Sequence, residues 1–185
     1  MKSSLSIPIQ PIEPSGLSFE TDEKPEVFPV IAELVNAGEC RFTGPVHIEG
    51  KAERTQDLIT VTGTVRIEVR LSCSRCLKDF GTSLSETFSL TFSQKVPLAE
   101  PVEKELTADE IGLIRFQGEQ IDLHESIQEH IIMMLPQRPL CSESCKGLCP
   151  QCGADLNQAE CGCWQPVLDD RLAILKNLKL NADDE

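Results

Sequence analysis

The clearest pattern in the chain runs from Ile59 to Leu71. Ile59, Val61, Gly63, Val65, Ile67, Val69 and Leu71 alternate with Thr60, Thr62, Thr64, Arg66, Glu68 and Arg70. A period of two gives an extended strand with one apolar and one polar face. Gly63, in its middle, is placed to mark a bulge. A second alternating run follows. Leu84, Phe88, Leu90 and Phe92 take even positions, with Ser83, Ser85, Thr87, Ser89, Thr91 and Ser93 between them. Two such runs this close together predict an antiparallel hairpin with a shared apolar face.

Around this hairpin the pattern is weaker. Residues 1–25 hold four of the twelve prolines. Ile7, Ile9 and Ile12 alternate with polar residues and Pro there, which predicts an extended arm or edge strand. In Glu26–Ala37, Phe28, Ile31, Leu34 and Val35 share one helical face. Pro29 falls in the first turn of that helix, and Gly38 is placed to end it. Val46, Ile48 and Gly50 alternate within Arg41–Arg54, a further strand, and Ile111–Phe116 reads as a short one. Asp122 with Glu125 three residues later has the capping-box pattern. The helix it opens carries Leu123, Ile127, Ile131 and Leu135, and Pro136 closes it. His124 and His130 read as surface or boundary residues, because neither has a metal-binding partner four residues on. A last helix after Trp164 and Pro166 would be capped by Asp169 or Asp170, with Leu172, Leu175 and Leu178 as its stripe and an acidic tail beyond.

These elements predict an α+β fold: a mostly antiparallel β-sheet packed by helices, with a C-terminal cysteine-rich zinc-knuckle segment. The boundaries divide the chain into an extended arm (1–25), a core domain (26–139), a zinc-binding segment (140–166) and a closing helix with acidic tail (167–185).

Six of the nine cysteines fall between Cys141 and Cys163. At the centre is Cys149-Pro150-Gln151-Cys152-Gly153, the sequence form of a zinc knuckle. Gly relieves the tight turn where a Cβ would clash. Cys161-Gly162-Cys163 follows, and the eight residues between the pairs suffice to fold back and complete a tetrahedron. Cys149, Cys152, Cys161 and Cys163 are therefore the core set for Zn2+, with Cys141 and Cys145 as alternates or part of a second site. The hairpin connection holds another C-x-x-C, Cys73 and Cys76, flanked by Arg70, Arg75 and Lys78. It reads as a redox dithiol, half of a metal site shared with Cys141 and Cys145, or a turn that holds two thiols. A redox motif is expected at a helix N-terminus, which ranks that reading lowest. Cys40 stands alone as a small buried hydrophobe.

Composition narrows the function classes. No apolar run approaches membrane-spanning length, and the first ten residues carry no secretory pattern. Both point to a cytoplasmic chain whose cysteines stay reduced and bind metal. Net charge is -13, so nucleic acid could be held only by a local basic patch. Arg66 and Arg70 on the polar strand face, with Arg75 and Lys78 at the loop, are the candidates for RNA contact. Arg138 and Lys146 could extend them. The stretch from Glu100 to Glu129 has nine acids against Lys104 and Arg115, a solvated acidic face. No phosphate-binding Gly loop, His/carboxylate centre or nucleophile elbow is present.

Several motifs occur in one order: L-S-C-S-R-C-L at Leu71–Leu77, the helix from Ile121 to Pro136, L-C-S-E-S-C-K-G-L-C-P-Q-C-G-A-D-L-N at Leu140–Asn157, and D-D-R-L-A-I-L at Asp169–Leu175. This ordered set resembles the YceD family over about residues 27–180. The resemblance implies a role in accumulation of large-subunit ribosomal RNA, without assigned catalytic residues. It also implies that Cys73 and Cys76 need not depend on the tail cysteines throughout the family, since some members lack the latter.

The expectation is a non-enzymatic ribosome-biogenesis factor whose partner is large-subunit ribosomal RNA, its precursor, or a ribosomal protein. Two alternatives stand beside it: an acidic adaptor that binds a basic ribosomal protein, and a thiol redox protein using Cys73 and Cys76.

Overall fold

The computed structural model describes residues 5–10, 12, 16–94 and 112–163. Ser6–Pro8 (β1) and Leu17–Glu23 (β2) are strands, so the chain is extended at these two described parts of its proline-rich start. A 3-10 turn at Pro25–Val27 leads into α1, Pro29–Asn36. Pro29 sits in its first turn, where a missing N–H costs nothing, and Gly38 follows its end at φ +76°. The next strands are Arg41–Phe42 (β3), Val46–Thr55 (β4), Leu58–Ser72 (β5) and Asp79–Ser93 (β6). Leu113–Arg115 (β7), Gln120–Asp122 (β8) and the helix His124–Met134 (α2) complete the set.

The main sheet has the order β2-β4-β5-β6-β7, with β3 paired to the end of β5. Every pairing in it is antiparallel except β6 with β7, which is parallel. β1 and β8 form a separate antiparallel pair. The β5–β6 ladder is the backbone of the molecule, in unbroken register from Leu58↔Ser93 to Ser72↔Asp79.

One face of this sheet holds the core. Val61, Val65, Ile67 and Phe92 from the long strands pack in one cluster with Ile7, Phe28, Ile31, Leu123, Ile127 and Ile131. Ile127 and Ile131 are fully buried. Each contributes about 2 kcal/mol by leaving water, which outweighs the marginal propensity of an 11-residue helix and docks α2 on the sheet. Cys40 lies in the same core, and burial pushes its thiol up. The other sheet face is polar.

Two local expectations are corrected. The register runs through Gly63 without a bulge, facing Gly50 on β4 and Phe88 on β6. Close approach is the reason for glycine: a Cβ at Gly63 would lie 2.3 Å from the Glu49 carbonyl oxygen and 2.7 Å from the Phe88 ring. The capping box also does not form. Leu123 is the residue before α2, and no side chain caps from it. Asp122 ends β8 instead, and its Oδ1 accepts the His124 N–H at 3.0 Å. The two histidines pack on aromatics, His124 against Phe28 and His130 against Phe88. The helix expected after Pro166, its acidic tail and most of the segment 94–110 lie outside the described part of the chain.

Candidate metal centre

β5 ends at Ser72 and β6 begins at Asp79, so Cys73–Lys78 is their connection. Its backbone closes in a specific way. The Leu77 N–H donates to the Cys73 carbonyl at 2.8 Å, and the Cys73 N–H donates to the Lys78 carbonyl at 2.9 Å. Leu77 takes φ +60° to allow this. The same closure recurs at Cys149. The Gly153 N–H donates to the Cys149 carbonyl at 2.9 Å, the Cys149 N–H to the Ala154 carbonyl at 2.8 Å, and Gly153 takes φ +73°. The chain therefore builds two knuckles of the same design, one on the sheet and one in the tail.

Each knuckle meets two further cysteines. Cys73, Cys76, Cys141 and Cys145 form one tetrad, and Cys149, Cys152, Cys161 and Cys163 the other. Within each, the sulfurs all lie within 4.8 Å of one another. In the first, Cys73 Sγ is 3.8 Å from Cys145 Sγ, and Cys76 Sγ is 3.7 Å from Cys141 Sγ. A disulfide would require about 2.05 Å. Four sulfurs held tetrahedrally at about 2.3 Å from an ion stand about 3.8 Å apart, so the spacing is that of a thiolate metal site. Either tetrad could hold a metal ion. The residues of the core set thus share one cluster, while Cys141 and Cys145 join the hairpin pair.

The protonation pattern fits the same use. The Cys141 N–H, then those of Cys76 and Arg75, point at Cys73 Sγ and lower its pKa to about 6. The Cys152 and Gln151 N–H groups lower Cys149 to about 7. Their neighbours move the other way. The Cys76 thiol raises Cys141 to about 12, and the Cys152 thiol raises Cys163 to about 11. Packed thiols cannot all ionise unaided. A cation among them would remove the mutual repulsion, and the N–H donors hold the sulfurs in place for it.

The tetrads differ in what they join. The first ties the hairpin connection to a segment some seventy positions on, and it is the more enclosed. Cys73 is fully buried, and Cys76 and Cys145 nearly so, against Phe80, Leu140 and Leu148. Phe80 also packs on the main core. The second is local to 149–163, with Cys152 exposed. Backbone and side chains fasten them together. The Leu148 N–H donates to the Arg75 carbonyl at 3.1 Å, and the Ser74 N–H to the Pro139 carbonyl at 2.8 Å. Gly147 at φ +77° allows the approach, since a Cβ there would lie 3.0 Å from the Arg75 carbonyl oxygen.

Three of the four cations proposed for RNA are engaged. Arg75 donates to the Cys145 carbonyl at 2.7 Å and the Glu143 carbonyl at 3.3 Å. Lys78 pairs with Asp155 at 2.5 Å, which holds the Asp155 carboxyl down to about 2. Arg66 pairs with Glu49 at 2.9 Å. Arg70 has no acidic partner among the described residues. Asp155 and Asn157 were invisible as site residues. The Asn157 side chain accepts the Lys146 N–H at 2.7 Å and donates to Cys145 Sγ at 3.5 Å and Asp155 Oδ1 at 2.8 Å. The one sequence sign of this is the Asp-x-Asn spacing, which favours side-chain-closed turns.

Residues 61–179 match the family model described as "Large ribosomal RNA subunit accumulation protein YceD". The chain is 26% identical over 161 residues to the large ribosomal RNA subunit accumulation protein YCED homolog 1, chloroplastic, of Arabidopsis thaliana, covering 73% of this chain and 49% of that relative. It is 32% identical over 130 residues to an uncharacterized protein of Mycobacterium tuberculosis, covering 70% and 60% respectively. With the uncharacterized protein YlbN of Bacillus subtilis it shares 29% identity over 182 residues, 91% of both chains. It thus spans about half the length of the Arabidopsis relative and three fifths of the mycobacterial one. No solved structure matches the chain significantly. Among the described residues, no helix is long and apolar enough to cross a membrane.

Proposed function

Because the chain belongs to the YceD family, we propose that it is a non-enzymatic factor in the accumulation of large-subunit ribosomal RNA, and that both cysteine tetrads hold zinc. The family match over residues 61–179 carries the first part. The two four-thiolate clusters support the second.

Four thiolates suit zinc, and a site with no open position is structural rather than catalytic. Cys73, Cys76, Cys141 and Cys145 would fasten the tail segment to the end of the long hairpin. Cys149, Cys152, Cys161 and Cys163 would fold the tail knuckle itself. Bound zinc supplies a dication that offsets the thiolate charge, on the order of 10 kcal/mol of binding free energy in small zinc modules. This disfavours the redox alternative, since Cys73 and Cys76 sit on a turn between antiparallel strands with two further sulfurs beside them.

The protein would act where ribosomes are assembled, with large-subunit ribosomal RNA, its precursor or a ribosomal protein as partner. The test is to remove the chain from cells and quantify both ribosomal RNAs. Specific loss of the large-subunit RNA, restored by the intact chain but not by a Cys73→Ser, Cys76→Ser double variant, is the expected result. Unchanged large-subunit RNA would sink the reading.

A further inference from the structure

On the polar face of the main sheet, His47 and Lys51 of β4 and Arg66 of β5 are paired with acids among the described residues. His47 contacts Asp22 at 2.8 Å, Lys51 pairs with Glu53 at 2.6 Å, and Arg66 pairs with Glu49 at 2.9 Å. Nearer the knuckle, Arg41 on β3 stands directly opposite Arg70 on β5. Both are exposed. Like charges opposite each other across a ladder repel. No ion pair relieves them among the described residues. Glu68, two positions before Arg70 on the same face, pairs with neither.

The surroundings suit an anion of a particular kind. On the other side of Arg70 the register places Gly81, and a Cβ there would meet no atom within 4 Å. That leaves an open strip next to Arg70 on this face of the sheet. The next outward positions on β6 are Ser83 and Ser85, both exposed. Guanidinium forks bind phosphate oxygens in two-point geometry, and serine hydroxyls donate to phosphate and sugar oxygens. Two unneutralised arginines, an open strip and a line of hydroxyls match a sugar-phosphate backbone.

Resting on the ribosomal RNA reading above, we propose that Arg41 and Arg70 form a phosphate clamp for RNA on the open face of the sheet, beside the first knuckle. This moves the RNA contact away from Arg75 and Lys78, whose charged groups are already engaged. The knuckle's part is to fix the end of β5 and β6 on which Arg70 and Gly81 lie.

The test uses the full zinc-loaded chain and a short fluorescently labelled single-stranded RNA of mixed sequence, with binding read by anisotropy at several salt concentrations. The Arg41→Glu, Arg70→Glu double variant should bind at least about tenfold more weakly and lower the salt slope by about 1.4, the loss of two phosphate contacts to a single strand. Gly81→Glu gives an independent reading. It keeps both arginines but sets a carboxylate in the open space beside Arg70, and it should also weaken binding. Lys51→Glu, elsewhere on the same face, should change affinity little. Metal content and melting temperature of each variant are checked against the parent. Binding that is unaltered in the double variant overturns the clamp while leaving an RNA role in place. No binding by the parent chain defeats the RNA reading itself. Loss in the double variant of a nuclease-resistant protein partner, with RNA binding intact, would make this face a protein-docking surface instead.

Discussion

Leu77 and Gly153 occupy the same place in two knuckles, each following the second cysteine of a C-x-x-C with positive φ, at 60° and 73°. A leucine in this conformation is strained by about 1–2 kcal/mol, whereas glycine adopts it freely. Leu77 is also 69% exposed, so packing returns little of that cost. Leu77→Gly should change stability by less than about 1 kcal/mol, because strain relief is offset by the added entropy of the unfolded chain. Gly153→Leu should lower zinc retention in the tail knuckle. Chelator-competition measurements on both variants check this; a large loss from Leu77→Gly would show that its side chain makes a contact the isolated chain needs.

The glycine pair at the middle of the sheet gives a sharper stability prediction. A Cβ at Gly63 would collide with the Glu49 carbonyl oxygen, which is backbone and cannot swing away. Gly63→Ala should destabilise the fold by about 2–3 kcal/mol, as overpacking of a tight interior does. Gly81→Ala, where space is open, should be close to neutral. Urea denaturation of the pair distinguishes this account from one based on glycine flexibility alone, which would stabilise both variants.

Asp122 sets a pH dependence. Burial pushes its carboxyl up, but the His124 N–H and ring outweigh that and hold it below the ordinary value. A carboxyl lowered in the folded state contributes stability above its unfolded pKa, and that contribution is lost as pH falls through the folded value. Asp122→Asn should therefore cost about 0.5–1 kcal/mol near neutral pH, in the range of a partly exposed carboxylate at a helix start. The difference from the parent should shrink on acidification below the unfolded value of about 3.9. Denaturation across that range measures it, and a gap that widens in acid would contradict the assignment.

Most of the sheet was legible because its signal is local. Ile59 to Leu71 alternates without interruption, and the structure makes it the 15-residue strand β5. Ser83, Ser85, Thr87 and Ser89 of β6 likewise mark its outward face, but Ser93 at the end of the same run is buried. β7 was anticipated only as a short strand. Its parallel pairing could not be, because three residues carry no information about direction. Asp122 misled because an acid three residues before Glu125 has the capping pattern whether or not the strand before it continues. At the cysteines the same division holds. Cys149 to Cys163 lie close in sequence, so their grouping follows from spacing. The meeting of Cys76 with Cys141, 65 positions apart, depends on the whole hairpin and helix between them, and no period encodes it. The engagement of Arg75 and Lys78 was hidden for the same reason, since their partners arrive with the tail.

The two tetrads should also fail separately. Cys141→Ser breaks the link between tail and hairpin, whereas Cys161→Ser breaks only the tail knuckle. Limited proteolysis between Pro139 and Leu148 should speed up at least about tenfold in the first variant, the factor given by about 1.4 kcal/mol of lost local stability. In the second it should change far less, because the Cys73–Cys145 side of the fastening is intact. Equal acceleration in both variants would mean that the two knuckles fold as one unit.

If each cysteine tetrad takes one metal ion, the chain carries two, one of them joining sheet to tail. Native mass spectrometry of the purified, reduced chain counts these ions. Two zinc ions per chain are expected, falling to one in Cys76→Ser and to one in Cys152→Ser. A single zinc in the parent chain that survives Cys76→Ser unchanged would contradict this, and would leave Cys73 and Cys76 as free thiols on the hairpin.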